Sequence, residues 1–310
     1  MKLSVVATLY KSAPYIDEFV RRASVSAKGF AGEDYEIILV NDGSPDDSVG
    51  KAVALLENGD GHLVIVDLSR NFGHHKAIMT GLAQAGGEYV FLIDSDLEEE
   101  PEWLAPFAEE MRETGCDVVY GVQQARKGRW FERRSGGFFY RFFNRVTKLD
   151  IPENLVTARL MKRRYVEALL LFTERELFLA GIWHIVGFDQ RRMAVLKHSS
   201  SETTYSFRMK VSILVNAVTS FSNAPLIFLF NAGALVTAAA VAYTIYLVLK
   251  RFAIDAPLEG WTSIMAAVLL LGGLNLMFLG GVGLYVSKIF SEVKNRPYTI
   301  IRDVYRKREA

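Results

Sequence analysis

Two aspartates one residue apart, Asp94 and Asp96, follow directly on the apolar run Tyr89-Val90-Phe91-Leu92-Ile93. Such a run reads as a buried strand, and the end of a buried strand is where an open α/β sheet holds its ligand. A carboxylate pair there offers the hard oxygen donors that bind a divalent cation, and the cation can hold the diphosphate of a nucleotide. Asp94-Ser95-Asp96 alone also fits a solvated acidic turn, so its surroundings decide. A second tip, Asn41-Asp42-Gly43-Ser44, follows the apolar run 35–40 and places Asp42 to accept hydrogen bonds from a nucleobase or ribose. Pro45 to Ser48 beyond it reads as a turn capping the next helix. A third tip, 67–73, ends in Gly73 ahead of a helical stretch and carries Arg70, either a surface ion-pair partner or a member of the same site. His74 and His75 lack a companion at metal-ligand spacing and read as the first residues of a helix.

The elements that position these tips alternate. Segments 3–9, 35–40, 63–68 and 89–93 have strand character, and 13–27, 48–57 and 76–85 have helical character. Alternation of this kind predicts a largely parallel sheet covered by helices, with ligand groups gathered at the strand carboxyl ends. Farther along, Arg126, Lys127, Arg129, Arg133, Arg134, Arg141, Arg145 and Lys148 stand against Glu132 alone, interleaved with Trp130, Phe131, Phe138, Phe139, Tyr140, Phe142 and Phe143. Phe138 and Phe142 lie one helical turn apart, as do Phe139 and Phe143, with basic residues on another face. The pattern suits a helix at an anionic membrane surface. A single-stranded nucleic-acid groove has similar composition, but the remainder of the chain points to a bilayer and away from nucleic acid.

Val211 to Leu249 and Gly260 to Ser287 contain no charged residue. One helix over the first stretch would be about 58 Å long, nearly twice a hydrocarbon core of about 30 Å. Pro225 breaks it, and polar residues on one face of the upstream part mark an interfacial helix. The expected organisation is a cytoplasmic α/β domain over 1–207, an interfacial amphipathic helix over 208–224, a first span over 225–249, an extracytoplasmic loop over 250–260, a second span over 261–287 and a basic cytoplasmic tail over 288–310. Basic residues outside the pair of spans place both termini in the cytoplasm of a multi-pass plasma (inner) membrane protein. The run Leu3 to Ala7 is too short for a signal-peptide core and reads as a strand. Cys116 is the single cysteine, which excludes an intramolecular disulfide and suits a reducing compartment. Gly272-Gly273, Gly280-Gly281 and Gly283 offer a small-residue surface for helix packing within the chain or in a homo-oligomer.

Taken together, Val40-Asn41-Asp42-Gly43-Ser44, Arg70-Asn71-Phe72-Gly73 with Ala77 and Gly81, and Asp94-Ser95-Asp96-Leu97 with Pro101-Glu102 resemble the family 2 glycosyltransferases of GT-A (Rossmann-like) fold. Ser220-Phe221-Ser222 before Pro225-Leu226, and the segment Tyr285 to Pro297, narrow the resemblance to the polyprenyl-phosphate glycosyltransferases. That group is similar to dolichol-phosphate mannose synthase and the bactoprenol glucosyltransferases. The resemblance implies a UDP- or GDP-linked sugar as donor, polyprenyl phosphate as acceptor, and inversion at the anomeric carbon. It implies a donor site of Thr8, Tyr10, Asp42, Arg70, Asn71, Gly73 and Asp94. It implies an acceptor-phosphate site of Arg126, Arg129, Arg133, Ser135, Arg159 and His198. Mg²⁺ or Mn²⁺ is expected on Asp94, Asp96 and Glu98, with Asp94, Asp96 and Arg126 carrying catalysis. Glu98 stands where relatives often have Gln, and with Glu99 and Glu100 it also fits an acidic helix start. Thr157 stands where many relatives carry an Asp two residues before the arginine matched by Arg159. Lys11-Ser12, His198 and Thr204 depart from the family pattern as well.

Two other readings fit parts of the sequence. A processive polysaccharide synthase of the same fold needs more spans and a Gln-x-x-Arg-Trp motif, and here Arg126 precedes Arg129-Trp130 where that glutamine would stand. A catalytically silent membrane adaptor has no evident use for Asp94 and Asp96 beside Asp42.

Overall fold

The computed structural model describes the chain apart from residues 59–60, 124–151, 153, 176, 198–218, 220–221, 223, 254–259 and 308–310. It divides into two compact units, Met1–Phe207 with Arg296–Ala310, and Arg208–Asn295.

In the first unit the apolar runs form the strands their composition dictates. β1 (Leu3–Leu9) is buried at every residue, β2 (Tyr35–Asn41) and β4 (Tyr89–Leu92) at all but one, and β3 (Leu63–Leu68) likewise. Strands buried on both faces pair in parallel because helices cover them on each side. β1 pairs in parallel with β2 and β4, and β2 with β3. The crossover helices are α1 (Ile16–Ala31), α2 (Ser48–Glu57) and α3 (His74–Gln84). α1 buries Ile16, Phe19, Val20, Ala23 and Ala27 at helical spacing, and its chain direction reverses at Gly32, where φ is 65°.

Among the described residues the sheet has eight strands in the order β7-β5-β6-β4-β1-β2-β3-β8. β5 (Val118–Gln123) and β6 (Leu155–Lys162) extend it with antiparallel pairing, and β7 (Gln190–Val195) lies parallel to β5. α4 (Leu104–Thr114), α5 (Arg163–Leu169) and α6 (Leu179–Ile185) complete the unit. The mixed α/β architecture matches the expectation. From β1 the chain winds outward through β2 and β3, then returns to the other side of β1 for β4. The switch point therefore lies between β1 and β4, where open α/β sheets bind ligands.

The C-terminal segment corrects the sequence reading. Residues 296–307 were expected to form part of a basic tail, yet β8 (Ile301–Arg306) pairs antiparallel with β3 as an edge strand. The Thr299 hydroxyl lies 2.8 Å from that of Thr80, and Arg302 donates to Asp67 Oδ2 at 3.3 Å and to the Ser69 carbonyl at 2.7 Å. Half of the strand's residues are charged, so hydropathy hid it; an edge strand has a solvated side that tolerates such charge.

The second unit holds α7 (Ala224–Ala253) and α8 (Trp261–Val293). Each contains a stretch long and apolar enough to cross a membrane, Ala224–Tyr243 and Leu271–Val293, with none of the tested window buried inside the chain. Pro225 sits in the first turn of α7, where its missing N–H has no helical partner to lose. Both helices run beyond the expected limits of 249 and 287, and the 208–224 helix falls almost wholly outside the described residues. Leu229 of α7 fills the space where a side chain on Gly281 of α8 would stand, and Tyr285 donates to the Ser222 carbonyl at 2.9 Å. Gly281 thus serves packing within the chain.

α3 lies close on the central strands at Gly81, where a β-carbon would come within 2.6 Å of Val6 Cγ1 and 2.8 Å of Val40 Cγ2. Gly81→Val should therefore cost roughly 2 kcal/mol or more through overpacking, seen as a lower melting temperature in detergent; an unchanged melt would refute the close approach.

Candidate active site

The switch point brings the first two acidic tips together. Ile93 donates its N–H to the Val6 carbonyl at 3.0 Å, and the Ser95 hydroxyl donates to the Thr8 carbonyl at 2.7 Å. The Ser12 hydroxyl lies 3.0 Å from that of Ser95, which is buried. Ser95 therefore pins the turn to β1 and leaves Asp94 and Asp96 on either side of it. Asp96 Oδ1 accepts the Glu98 N–H at 3.0 Å, closing a tight turn in which Leu97 takes a φ of 60°. Thr8 is buried at the end of β1, and Tyr10 beyond it is half-exposed. His74, at the start of α3, joins the two: its Nε2 is 3.5 Å from Asp94 Oδ1, and its Nδ1 is 3.1 Å from Thr8 Oγ1. The sequence reading placed His74 correctly at a helix start but missed these contacts, which are non-local.

Asp42 organises the neighbouring tip. Buried to 3% exposure, it accepts the Phe72 N–H at 2.7 Å on Oδ1 and the Gly73 N–H at 3.0 Å on Oδ2. Burial pushes its carboxyl above the usual value, with these two N–H bonds acting in the opposite direction. Gly43, at a φ of 58°, brings the backbone of Arg70 and Asn71 against it, where a side chain would collide. The second and third tips are consequently one structure. Arg70 is exposed, stacks over Phe72 at 4.1 Å, and donates to the Asn71 carbonyl at 3.0 Å. Asp42, expected to contact a base or ribose, shapes the loop through these two bonds, and each carboxylate oxygen keeps a second lone pair. Beneath the loop, Asn41 donates to Asp67 Oδ1 at 2.7 Å.

Behind the Asp94 turn lies a buried acid the sequence reading treated as part of a helix start. Glu99 is fully buried; Oε1 accepts the Thr157 N–H at 2.9 Å, and Oε2 accepts the Asp94 N–H at 3.4 Å. Burial, reinforced by the Asp94 charge, pushes its pKa up to about 8. Lys197, just after β7, lies 3.7 Å from Glu99 Oε1 and 3.3 Å from Glu98 Oε2. Burial opposes the Lys197 charge, but Glu99, Asp94, Asp96 and Glu98 together leave its pKa raised. Burial also raises the Asp96 carboxyl, with Asp94 and Glu98 adding to the effect.

Glu98, expected as the third metal ligand, pairs in this structure with Lys197. Among the described residues no group of three His, Cys, Asp or Glu side chains is assembled as a ready-made metal site. Asp94 and Asp96 nevertheless fit a hard divalent cation: both are oxygen donors at the switch point, and the raised Asp96 carboxyl marks a place where added positive charge is favourable. Arg159, expected at the acceptor phosphate, is fully buried on β6 and stacks on the Trp183 ring at 3.0 Å. Its Nε donates to the Thr157 carbonyl at 3.2 Å, and burial lowers its pKa to about 10. Nη2 has no hydrogen-bond partner among the described residues. Arg126, Arg129, Arg133, Ser135 and His198 lie outside them.

A family model described as glycosyl transferase family 2 matches residues 4–170, more than half of the chain and all three tips. The protein belongs to glycosyl transferase family 2. A Mycobacterium tuberculosis protein named as a glycosyltransferase is 48% identical over 305 residues, covering 98% of this chain and 89% of its own. The Bacillus subtilis glycosyltransferase YkcC is 32% identical over 310 residues, covering 98% and 94%. Among solved structures, the mannosyltransferase PcManGT of Pyrobaculum calidifontis, in complex with GDP-Man and Mn²⁺, aligns at 16% identity and a TM-score of 0.48, covering 95% of this chain and 86% of that one.

In this family 2 glycosyltransferase the Glu99 carboxyl keeps, up to about pH 8, a proton that the unfolded chain releases near 4.5. The folded state binds the extra proton between those values, so stability falls as pH rises through that window. In chelator, Glu99→Gln should flatten the pH dependence of the melting temperature between about pH 5 and about pH 8; matching slopes for the variant and the unmutated protein would contradict the burial of this group.

Proposed function

We propose that the protein transfers a sugar from a UDP- or GDP-linked donor to a polyprenyl phosphate, undecaprenyl or dolichyl, at the cytoplasmic face of the plasma membrane, with inversion. The observation that carries this reading is the presence, in one chain with the acid-tipped switch point, of two long helices, each with an extended uncharged stretch and with none of its apolar window buried. Unburied apolar surface of that length needs lipid around it, and an enzyme that lives in lipid is suited to a lipid-borne acceptor. The basic-aromatic run 126–148 supports an anionic, membrane-borne phosphate as the second substrate.

Asp94 and Asp96 would hold Mg²⁺ or Mn²⁺, which supplies positive charge against the developing nucleoside diphosphate. Asp42, through Phe72 and Gly73, fixes the loop against which the nucleoside would lie. Thr8, Tyr10, Arg70, Asn71 and Gly73 are proposed to complete the donor site. His74, held between Thr8 and Asp94, stands at the first turn of α3, where the helix dipole favours anions. No side-chain carboxyl is supplied at Thr157, and its backbone N–H is occupied by Glu99. A phosphate monoester has a second pKa near 6 and is largely dianionic at neutral pH. Its oxygen can attack without a general base, so positioning and electrostatic stabilisation carry the rate. Arg126, Arg129, Arg133, Ser135, Arg159 and His198 are proposed for the acceptor phosphate, Arg159 by way of its unpartnered Nη2.

Purified full-length protein in detergent, given undecaprenyl phosphate, Mn²⁺ and radiolabelled nucleotide sugars one at a time, should convert at least one donor into an organic-soluble product. Asp96→Ala should lower that transfer at least ~100-fold with an unchanged circular dichroism spectrum. No lipid product from a broad donor panel would refute the reading, and full activity of Asp96→Ala would refute the metal assignment.

A further inference from the structure

Lys197 has no part in the function proposed above, yet its ammonium group stands among the acids of the metal-binding turn. It is 3.3 Å from Glu98 Oε2 and 3.7 Å from Glu99 Oε1, with its side chain 23% exposed. The side chains of Glu98 and Glu99 are 10% and 0% exposed, so the group sits at the cluster's inner wall and not in open solvent. The fields of Asp94 and Asp96 reach it as well. Glu98 to Asp96 is a closed turn, and Glu99 is bonded to the Asp94 backbone, so the Lys197 position is tied to that of both expected ligands.

Asp94, Asp96 and Glu98 bring three carboxylates into five residues at a half-buried turn with the Glu99 carboxyl behind them, and carboxylates repel one another most where water is scarce. A cation beside the turn offsets that repulsion. We infer that Lys197 is the resident counter-cation of this turn, held there when no divalent ion is bound and displaced or weakened in its pairing when one enters. The inference rests on the metal role proposed for Asp94 and Asp96. Lys197 would be a positioning residue and not a catalytic one. Its charge keeps the empty turn in a metal-ready shape and lowers the affinity for a divalent ion arriving alone. An ion arriving with a nucleoside diphosphate brings negative charge that offsets the ammonium, so Lys197 favours joint entry of metal and donor.

The test is Mn²⁺ binding to the full-length protein in detergent, followed by electron paramagnetic resonance without nucleotide. Lys197→Met should bind Mn²⁺ about ten-fold more tightly than the unmutated protein, since one positive charge near the ion is gone. Lys197→Arg, which keeps the charge, should stay within about two-fold. In the unmutated protein, labelling of Lys197 by acetic anhydride, read by peptide mass spectrometry, should rise several-fold when Mn²⁺ is saturating; this measurement stands even if Lys197→Met does not fold. Equal Mn²⁺ affinity in Lys197→Met, or labelling unaffected by Mn²⁺, overturns the inference. Asp96→Ala separates the two levels: if it loses Mn²⁺ binding while Lys197→Met is unchanged, only the Lys197 role fails. If Asp96→Ala binds Mn²⁺ as the unmutated protein does, the metal role fails and the inference with it.

Discussion

Glu99 is the residue on which the site's shape depends. Its carboxyl is withdrawn from water and shared among the N–H of Asp94 at the tip of β4, the N–H of Thr157 on β6 and the ammonium of Lys197 beyond β7. These points come from three chain segments that are distant in sequence, and a single buried group fixes them together. Leaving such a group without partners costs about 1–3 kcal/mol or more, so the folded chain keeps all three in place. The direction of Asp94, and with it the entrance to the switch point between β1 and β4, follows from that constraint.

Asp42 acts in a comparable way on the other side of the switch point. By accepting the N–H groups of Phe72 and Gly73 it joins two strand tips into one wall, and Gly43 allows the backbones to meet. Ser95 ties the acidic turn to Thr8 between these two anchors. A site framed by backbone bonds to buried carboxyls is rigid before any ligand arrives, which is what electrostatic catalysis requires. Such a frame suits the phosphate acceptor proposed above: with no carboxylate at Thr157, the work would lie in holding charge and orienting groups.

Much of this was legible in the residue order. Apolar runs ending in Asp42, Asp67 and Asp94 marked the parallel strands and the side of the sheet that holds ligand, because burial on both faces leaves no alternation to confuse. The two apolar helices were visible from the absence of charge. What escaped is what depends on distant contacts. Glu99 was indistinguishable from Glu98 and Glu100 in a run of three acids, and its partners Thr157 and Lys197 are distant in sequence. Lys197 carried no motif, and His74 meets Asp94 only once α3 is packed against β1. β8 was hidden because its charged residues suit an edge strand and a solvated tail equally well. Arg159 is proposed for the acceptor phosphate, and its stacking on Trp183 from an interior strand was not visible in the residue order.

The central claim is that the strand tips around Asp42, Asp94 and Asp96 form a metal-dependent nucleotide site. Isothermal titration of UDP and GDP into the full-length protein in detergent with Mn²⁺ tests it most directly. The account predicts saturable binding of one of the two nucleotides, lost in chelator and lost when Asp94 and Asp96 are both changed to Asn. Binding that persists in chelator and in the double variant would contradict it.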